Sequence, residues 1–147
     1  MSDCIFCSIV SGEAPAVRVY EDEDVLGIMD VHPATRGHVL VIPRRHSTDL
    51  SAVRPEDARA VMDAAVKLAG MIRQALRPDG VNLFVASGQA AWQTVFHFHL
   101  HVLPRYDGDS LVQPWSSEQP LADPEDLEAV AMMIREEMGD GQAEPGR

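Results

Sequence analysis

Apolar positions along this chain follow two periods, and the switches between them mark the elements. Residues 17–31 alternate loosely through Val17, Val19 and Tyr20, then Val25, Leu26, Ile28 and Val31. The acidic run Glu21–Asp24 between the two halves reads as a hairpin turn. His38–Ile42 is a short apolar strand closed by Pro43. Pro55, followed by Glu56 and Asp57, starts a helix. Val61, Ala65, Leu68, Ile72 and Leu76 then recur at helical spacing, until Arg77, Pro78 and Gly80 stop it. Val81–Val85 is a strand, Ser87-Gly88-Gln89 a turn, and Val95–Leu103 the strongest strand, ended by Pro104. Asp107–Gln119 reads as a loop. A second helix runs from Asp123 as N-cap, with Pro124 at its first position, to about Met138.

Strands, one long helix, more strands and a last helix do not make a βαβ alternation. The pattern predicts an α+β fold with a mostly antiparallel sheet of about five strands. The chain has 147 residues, the size of one domain, expected over 1–139 with a flexible tail at 140–147.

Charge narrows the partners. The net charge is −11, and residues 118–147 carry −7 of it, leaving −4 for the body. An acidic chain lacks the footprint for a nucleic-acid backbone or an anionic membrane, so neither is expected as a partner. Asp63 and Lys67 interrupt the best apolar stretch, and the N-terminus has no basic region before a long apolar core. A cytoplasmic protein is expected. The only cysteines, Cys4 and Cys7, are spaced C-x-x-C, which without a leader favours a metal or redox pair over a structural disulfide.

The chemistry concentrates in His97-Phe98-His99-Leu100-His101-Val102. In a strand, the three histidines share one face and the three apolar residues the other. One histidine is usually an ordinary packed residue; three in strict alternation ask for another reason, because neighbouring imidazoles repel when charged. Two readings follow. In one, imidazoles at i and i+2 bind a catalytic zinc that activates water, with His99 and His101 as ligands. In the other, one imidazole is a nucleophile and its neighbours handle an anionic substrate. Cys4 and Cys7 offer half a tetrahedral site, and His46 and His97 are placed to complete it. A zinc held there leaves His99 and His101 free.

His97–Leu103 matches the alternating motif of the histidine triad (HIT) superfamily, and the chain resembles that family well beyond it. Residues 4–15 (CIFCSIVSGEAP) resemble the N-terminal segment of its zinc-carrying bacterial, Hint-like members. Asp30 with Pro33, Gly37–His46, Gln93–Phe96 and Pro104-Arg105 match further blocks in order. The resemblance implies a homodimeric nucleotide hydrolase or transferase. It makes His99 the nucleophile that attacks an α-phosphorus and forms a nucleotidyl-histidine. His101, Gln93 and Thr94 are then expected at the phosphate oxygens, and Asp30 at the ribose hydroxyls. Phe6, Ile9, Ile28 and Val31 match the wall around the base, His38 a supporting histidine, and Cys4, Cys7, His46 and His97 a structural zinc set. The implied substrate is a purine nucleoside phosphoramidate or similar adenylylated compound. The alternatives are a dinucleoside polyphosphate, or a nucleotide-binding sensor with vestigial activity. Two positions depart from the pattern: Ala86 stands where many members have Asn, and Trp92 where they have Gly. Ala86 cannot donate to phosphate, so that contact falls to Ser87 or to backbone amides. Trp92 is expected beside the phosphate clamp, on the leaving-group side or at the dimer surface.

Overall fold

The computed structural model describes residues 3–113 and 119–137. It divides into two compact units, Met1–Leu111 and Val112–Arg147. The expected tail at 140–147 lies outside the described residues.

The first unit is an α+β fold around a five-stranded antiparallel sheet. Its strands are β1 (Arg18–Glu21), β2 (Val25–Met29), β3 (Val39–Pro43), β4 (Gly80–Phe84) and β5 (Leu100–Arg105), in the order β1-β2-β3-β5-β4. Helix α1 (Ile5–Ser11) and the long helix α2 (Pro55–Leu76) complete it. Period-two alternation sorts the strand residues between two cores. Val25, Val39, Val41, Leu100 and Val102 pack with Val61, Ala65, Leu68 and Ile72 of α2. Leu26, Ile28, Leu40 and Ile42 pack with Phe6 and Ile9 of α1. With both faces covered, every residue of β3 is buried. Gly27 shows how tightly α2 sits: a Cβ there would lie 3.0 Å from Leu68 Cδ1 and from Tyr20 Cβ.

Helix α1 has no counterpart in the sequence analysis. Seven residues are too few for a convincing period. Its N-cap is Cys4, whose Sγ accepts from the Cys7 N–H at 3.4 Å, and Gly12 closes it at φ 84°.

The histidine strand differs from expectation at both ends. It begins at Leu100, not Val95. Ladder pairing with β3 starts only at Val41↔Leu100, and Phe98 N–H donates instead to the Ser47 carbonyl at 2.7 Å. The alternation survives without the ladder, since Phe98, Leu100 and Val102 all enter the α2-side core. At the other end, Pro104 lies inside β5 opposite Val81. There β5 has only β4 beside it, an edge-like setting that tolerates proline.

In the second unit, α3 (Pro124–Glu136) is capped by Asp123, whose carboxylate accepts from Glu125 N–H. None of its residues is buried. Met138, where this helix was expected to end, lies outside the described residues. Among the described residues no helix is long and apolar enough to cross a membrane.

Candidate active site and metal centre

The chain entering β5 passes three imidazoles across the α1 side of the sheet. His97 and His99 are buried, and His101 is half-buried. His99 Nδ1 lies 2.7 Å from the backbone carbonyl of His97. A carbonyl can only accept, so Nδ1 carries the proton and Nε2 keeps its lone pair. Phe6 of α1 meets the His99 ring edge-on at 5.1 Å.

His101 is set by a second chain of donors. Ala34 N–H donates to His38 Nδ1 at 3.0 Å. His38 therefore carries its proton on Nε2, 2.8 Å from His101 Nδ1 and 3.4 Å from Asp30 Oδ2. His101 accepts there, which leaves its own N–H on Nε2. The pair thus offers one lone pair, on His99, and one donor, on His101, their ring centroids 4.9 Å apart. Burial holds His38, His99 and His101 below the ordinary histidine value; His101, also facing His99 and His38, falls to about 4.

Two cavities flank this pair, and His99, His101 and Thr94 border both. The larger, about 430 Å³, is walled by Phe6, Ile9, Ile28 and Val31, with Asp30 among its lining residues. Asp30 Oδ1 accepts from His32 N–H at 2.8 Å. The smaller, about 230 Å³, lies against Ala34, Phe84, Ala86, Trp92 and Leu103. A wider concavity, about 480 Å³, lies elsewhere, over Cys4, His46 and Phe96, and neither His99 nor His101 lines it.

Gln93 lines the smaller cavity but is buried, and its polar atoms are engaged. Its Nε2 donates to the carbonyls of Thr48 (2.7 Å) and Val95 (3.1 Å), and its Oε1 accepts from Gly88 N–H. These bonds brace the loop that carries Thr94. Ser87 Oγ accepts from Leu50 N–H at 3.1 Å. Trp92 sits at φ 71°, as the C-cap of a 3-10 turn over Gln89–Ala91. That backbone costs a non-glycine residue about 1–2 kcal/mol. Its ring stacks on Phe84 at 6.4 Å and 16°, a contact worth roughly 0.5–1.5 kcal/mol. The two terms nearly cancel, so stability gives no reason for a tryptophan here.

Behind the His pair is a second cluster. Cys4 Sγ, Cys7 Sγ, His46 Nδ1 and His97 Nδ1 all lie within 4.8 Å of one another. His97 Nδ1 is 3.4 and 3.5 Å from the two sulfurs and 3.2 Å from His46 Nδ1, and Cys7 Sγ is 3.3 Å from His46 Nδ1. A tetrahedral ion with bonds of about 2.0 Å to nitrogen and 2.3 Å to sulfur sets its ligand atoms roughly 3.3–3.8 Å apart. His97 Nε2–H donates to the Pro43 carbonyl at 2.8 Å, which points the Nδ1 lone pair into the cluster. Burial first, and then Cys4 beside it, push the Cys7 thiol up to about 11, a crowding that a cation relieves. The residues fit a closed four-ligand metal site. The other group with metal-ligand chemistry is Asp30, His38 and His101. His99 belongs to neither, so nothing among the described residues favours a metal on His99 and His101.

The HIT domain family model matches residues 11–108. The chain belongs to the HIT domain family. A HIT-like protein of Mycobacterium tuberculosis is 41% identical over 95% of this chain and 96% of its own length. The adenylylsulfatase HINT3 of Arabidopsis thaliana is 38% identical over 80% of this chain and 58% of its own. The crystal structure of a zinc-bound histidine triad protein of Mycobacterium smegmatis is 43% identical, covers 92% of this chain and 98% of its own, and has a TM-score of 0.72. The family match lies within the first unit.

Neutral buried histidines make stability depend on pH. Unfolded histidines take up protons near 6.5, whereas folded His101 does so only near 4. The unfolded state therefore binds more protons between these values. His101's contribution is fully present above about 6.5 and is lost as pH falls through about 4. Urea unfolding at stepped pH is expected to show this decline, with a shallower slope in His101→Gln.

Proposed function

We propose that the protein hydrolyses a purine nucleoside phosphoramidate, or a similar adenylylated compound, at the α-phosphorus through a nucleotidyl-His99 intermediate. The observation that carries this reading is the His99 tautomer: Nδ1–H is held by the His97 carbonyl, and the Nε2 lone pair stands beside two cavities. The family membership and the adenylylsulfatase relative support it.

The nucleoside takes the larger cavity, its base between Phe6, Ile9, Ile28 and Val31 and its ribose hydroxyls at Asp30. His99 Nε2 attacks phosphorus, the P–N bond to the leaving amine breaks, and the amine nitrogen takes a proton from water. The imidazole becomes cationic as the N–P bond forms, which strengthens its Nδ1–H bond to the His97 carbonyl. His101 Nε2–H and the Thr94 hydroxyl stabilise the phosphoryl oxygens. Water then attacks phosphorus and loses its proton, the P–Nε2 bond breaks, and nucleoside monophosphate leaves. His101 is a hydrogen-bond donor and not a source of the proton, because Ala34 N–H keeps His38 Nδ1 an acceptor and so prevents a relay behind it.

His99→Ala is expected to lower turnover by at least about four powers of ten while leaving AMP affinity within a few-fold. Mass spectrometry of rapidly quenched wild-type enzyme should find an adenylyl group on His99. An unmodified His99 with turnover retained in the alanine variant would overturn the assignment.

Zinc is the ion proposed for the cysteine–histidine cluster, since two thiolates and two imidazoles suit it and a closed set leaves no site for water. Bound there, it is structural and ties α1 to the sheet. Cys4→Ser is expected to lose most of the one zinc per chain and roughly 4 °C or more of Tm. Metal analysis and calorimetry on one sample check this; a metal-free wild type of equal Tm speaks against it.

A homodimer is proposed as well. Strand β4 is an edge with Leu83 exposed, and a free edge invites a second chain. Light scattering at micromolar protein should give twice the chain mass.

A further inference from the structure

We infer that the smaller cavity beside His99 is a leaving-group subsite for an uncharged planar ring, so that the best substrates are amidates of amines bearing an aromatic ring on a short link and not dinucleoside polyphosphates. This inference rests on the proposed reaction and names the half of the substrate which that reaction leaves open.

Position is the first ground. His99 and His101 border both cavities. With the nucleoside in the larger one, a group leaving from the α-phosphorus opposite the attacking nitrogen departs toward the smaller. Wall chemistry is the second. Trp92, Phe84 and His101 form a continuous aromatic series: Trp92 on Phe84 at 6.4 Å and 16°, Phe84 on His101 at 5.9 Å. Ala34, Ala86 and Leu103 add apolar wall, and the remaining lining residues, His38, Gln93, Thr94 and His99, carry no fixed positive charge. Among the described residues, no lysine or arginine lines it. A nucleoside polyphosphate leaving here would bring several negative charges to a wall without a counter-charge, where lost hydration is not repaid. A flat neutral ring meets none of that penalty and gains stacking.

Size is the third ground. A cavity of about 150 Å³ holds benzene. This one is about 230 Å³, room for one ring and a short link to phosphorus. Ala86 adds to that room, since an asparagine there would project polar atoms into it. Trp92 is the fourth. It holds a bulky ring on a left-handed backbone, and the residue, which lines the cavity, remains 69% exposed. An exposed ring held in a conformation that favours glycine is explained by something that stacks on it.

The test uses the full-length protein with adenosine 5′-phosphoramidates of benzylamine and of propylamine, and with diadenosine triphosphate. For these substrates kcat/KM includes nucleotidylation and amine release, whereas the hydrolysis of nucleotidyl-His99 is common to all. Wild type is expected to show a benzylamide-to-propylamide kcat/KM ratio of about ten or more, and diadenosine triphosphate the poorest value. In Trp92→Gly, which suits φ 71°, the ratio should fall to near one, mostly through KM. In parallel, benzyl alcohol is titrated against the Trp92 indole N–H signal, assigned by its loss in Trp92→Gly. A shift that saturates supports the subsite. An unchanged ratio in the variant, a parallel fall of both amidates, or faster turnover of diadenosine triphosphate overturns the inference. If no substrate is turned over and AMP does not bind, the proposed reaction fails. The subsite then stands or falls on the benzyl alcohol titration alone.

Discussion

The cysteine–histidine cluster and the proposed nucleophile meet at His97. Its Nε2–H is held by the carbonyl that ends β3, its Nδ1 faces Cys4, Cys7 and His46, and its own carbonyl accepts the Nδ1–H of His99. One fully buried residue thus joins the end of a core strand, the cap of α1 and the tautomer of the proposed nucleophile. Such a residue has little freedom. Moving its ring would open the metal cluster, and moving its backbone would release the His99 proton to the other nitrogen. A metal held by the Cys4, Cys7, His46 and His97 cluster would therefore be coupled to the proposed chemistry without touching a reacting atom.

The sheet makes this arrangement possible by dividing labour between its faces. On β5, Leu100 and Val102 go to the α2 side, where they pack with Leu68 and its neighbours. Each such residue contributes about 1.5–3 kcal/mol of burial. His99 and His101 then fall on the opposite side, where both border the two cavities. The same alternation that stabilises the strand presents the imidazoles. Helix α1 stands at the join, with Phe6 against both His97 and His99.

Much of this was legible in the sequence, and the limits were physical. The histidine alternation, the long helix with its stop at Arg77–Gly80, and the Asp123 cap all carry local signals. The pairing of Cys4-x-x-Cys7 with His46 and His97 was legible as ligand arithmetic. Helix α1 was not, because a seven-residue helix capped by a cysteine sulfur follows no common rule. The start of β5 was not, because it depends on where β3 runs out, a non-local matter. Gln93 looked like a phosphate ligand beside the triad. Only the structure shows its amide engaged by three backbone groups. For Trp92, sequence could mark the departure but not supply its backbone angle.

The tautomers explain why so many histidines are useful together. Without a fixed partner, a neutral imidazole can carry its proton on either nitrogen, and one of the two tautomers is wrongly presented. Here each proton is assigned by a backbone group that cannot change its role. The His97 carbonyl can only accept, and the Ala34 amide can only donate. From these two fixed points follow a lone pair on His99 and a donor on His101. Burial lowers the proton affinity of both rings, which favours the neutral form and a free lone pair on His99. The proposed nucleophile is thus prepared by orientation and neutrality, which is why its neighbours are other imidazoles and backbone groups instead of a strong base.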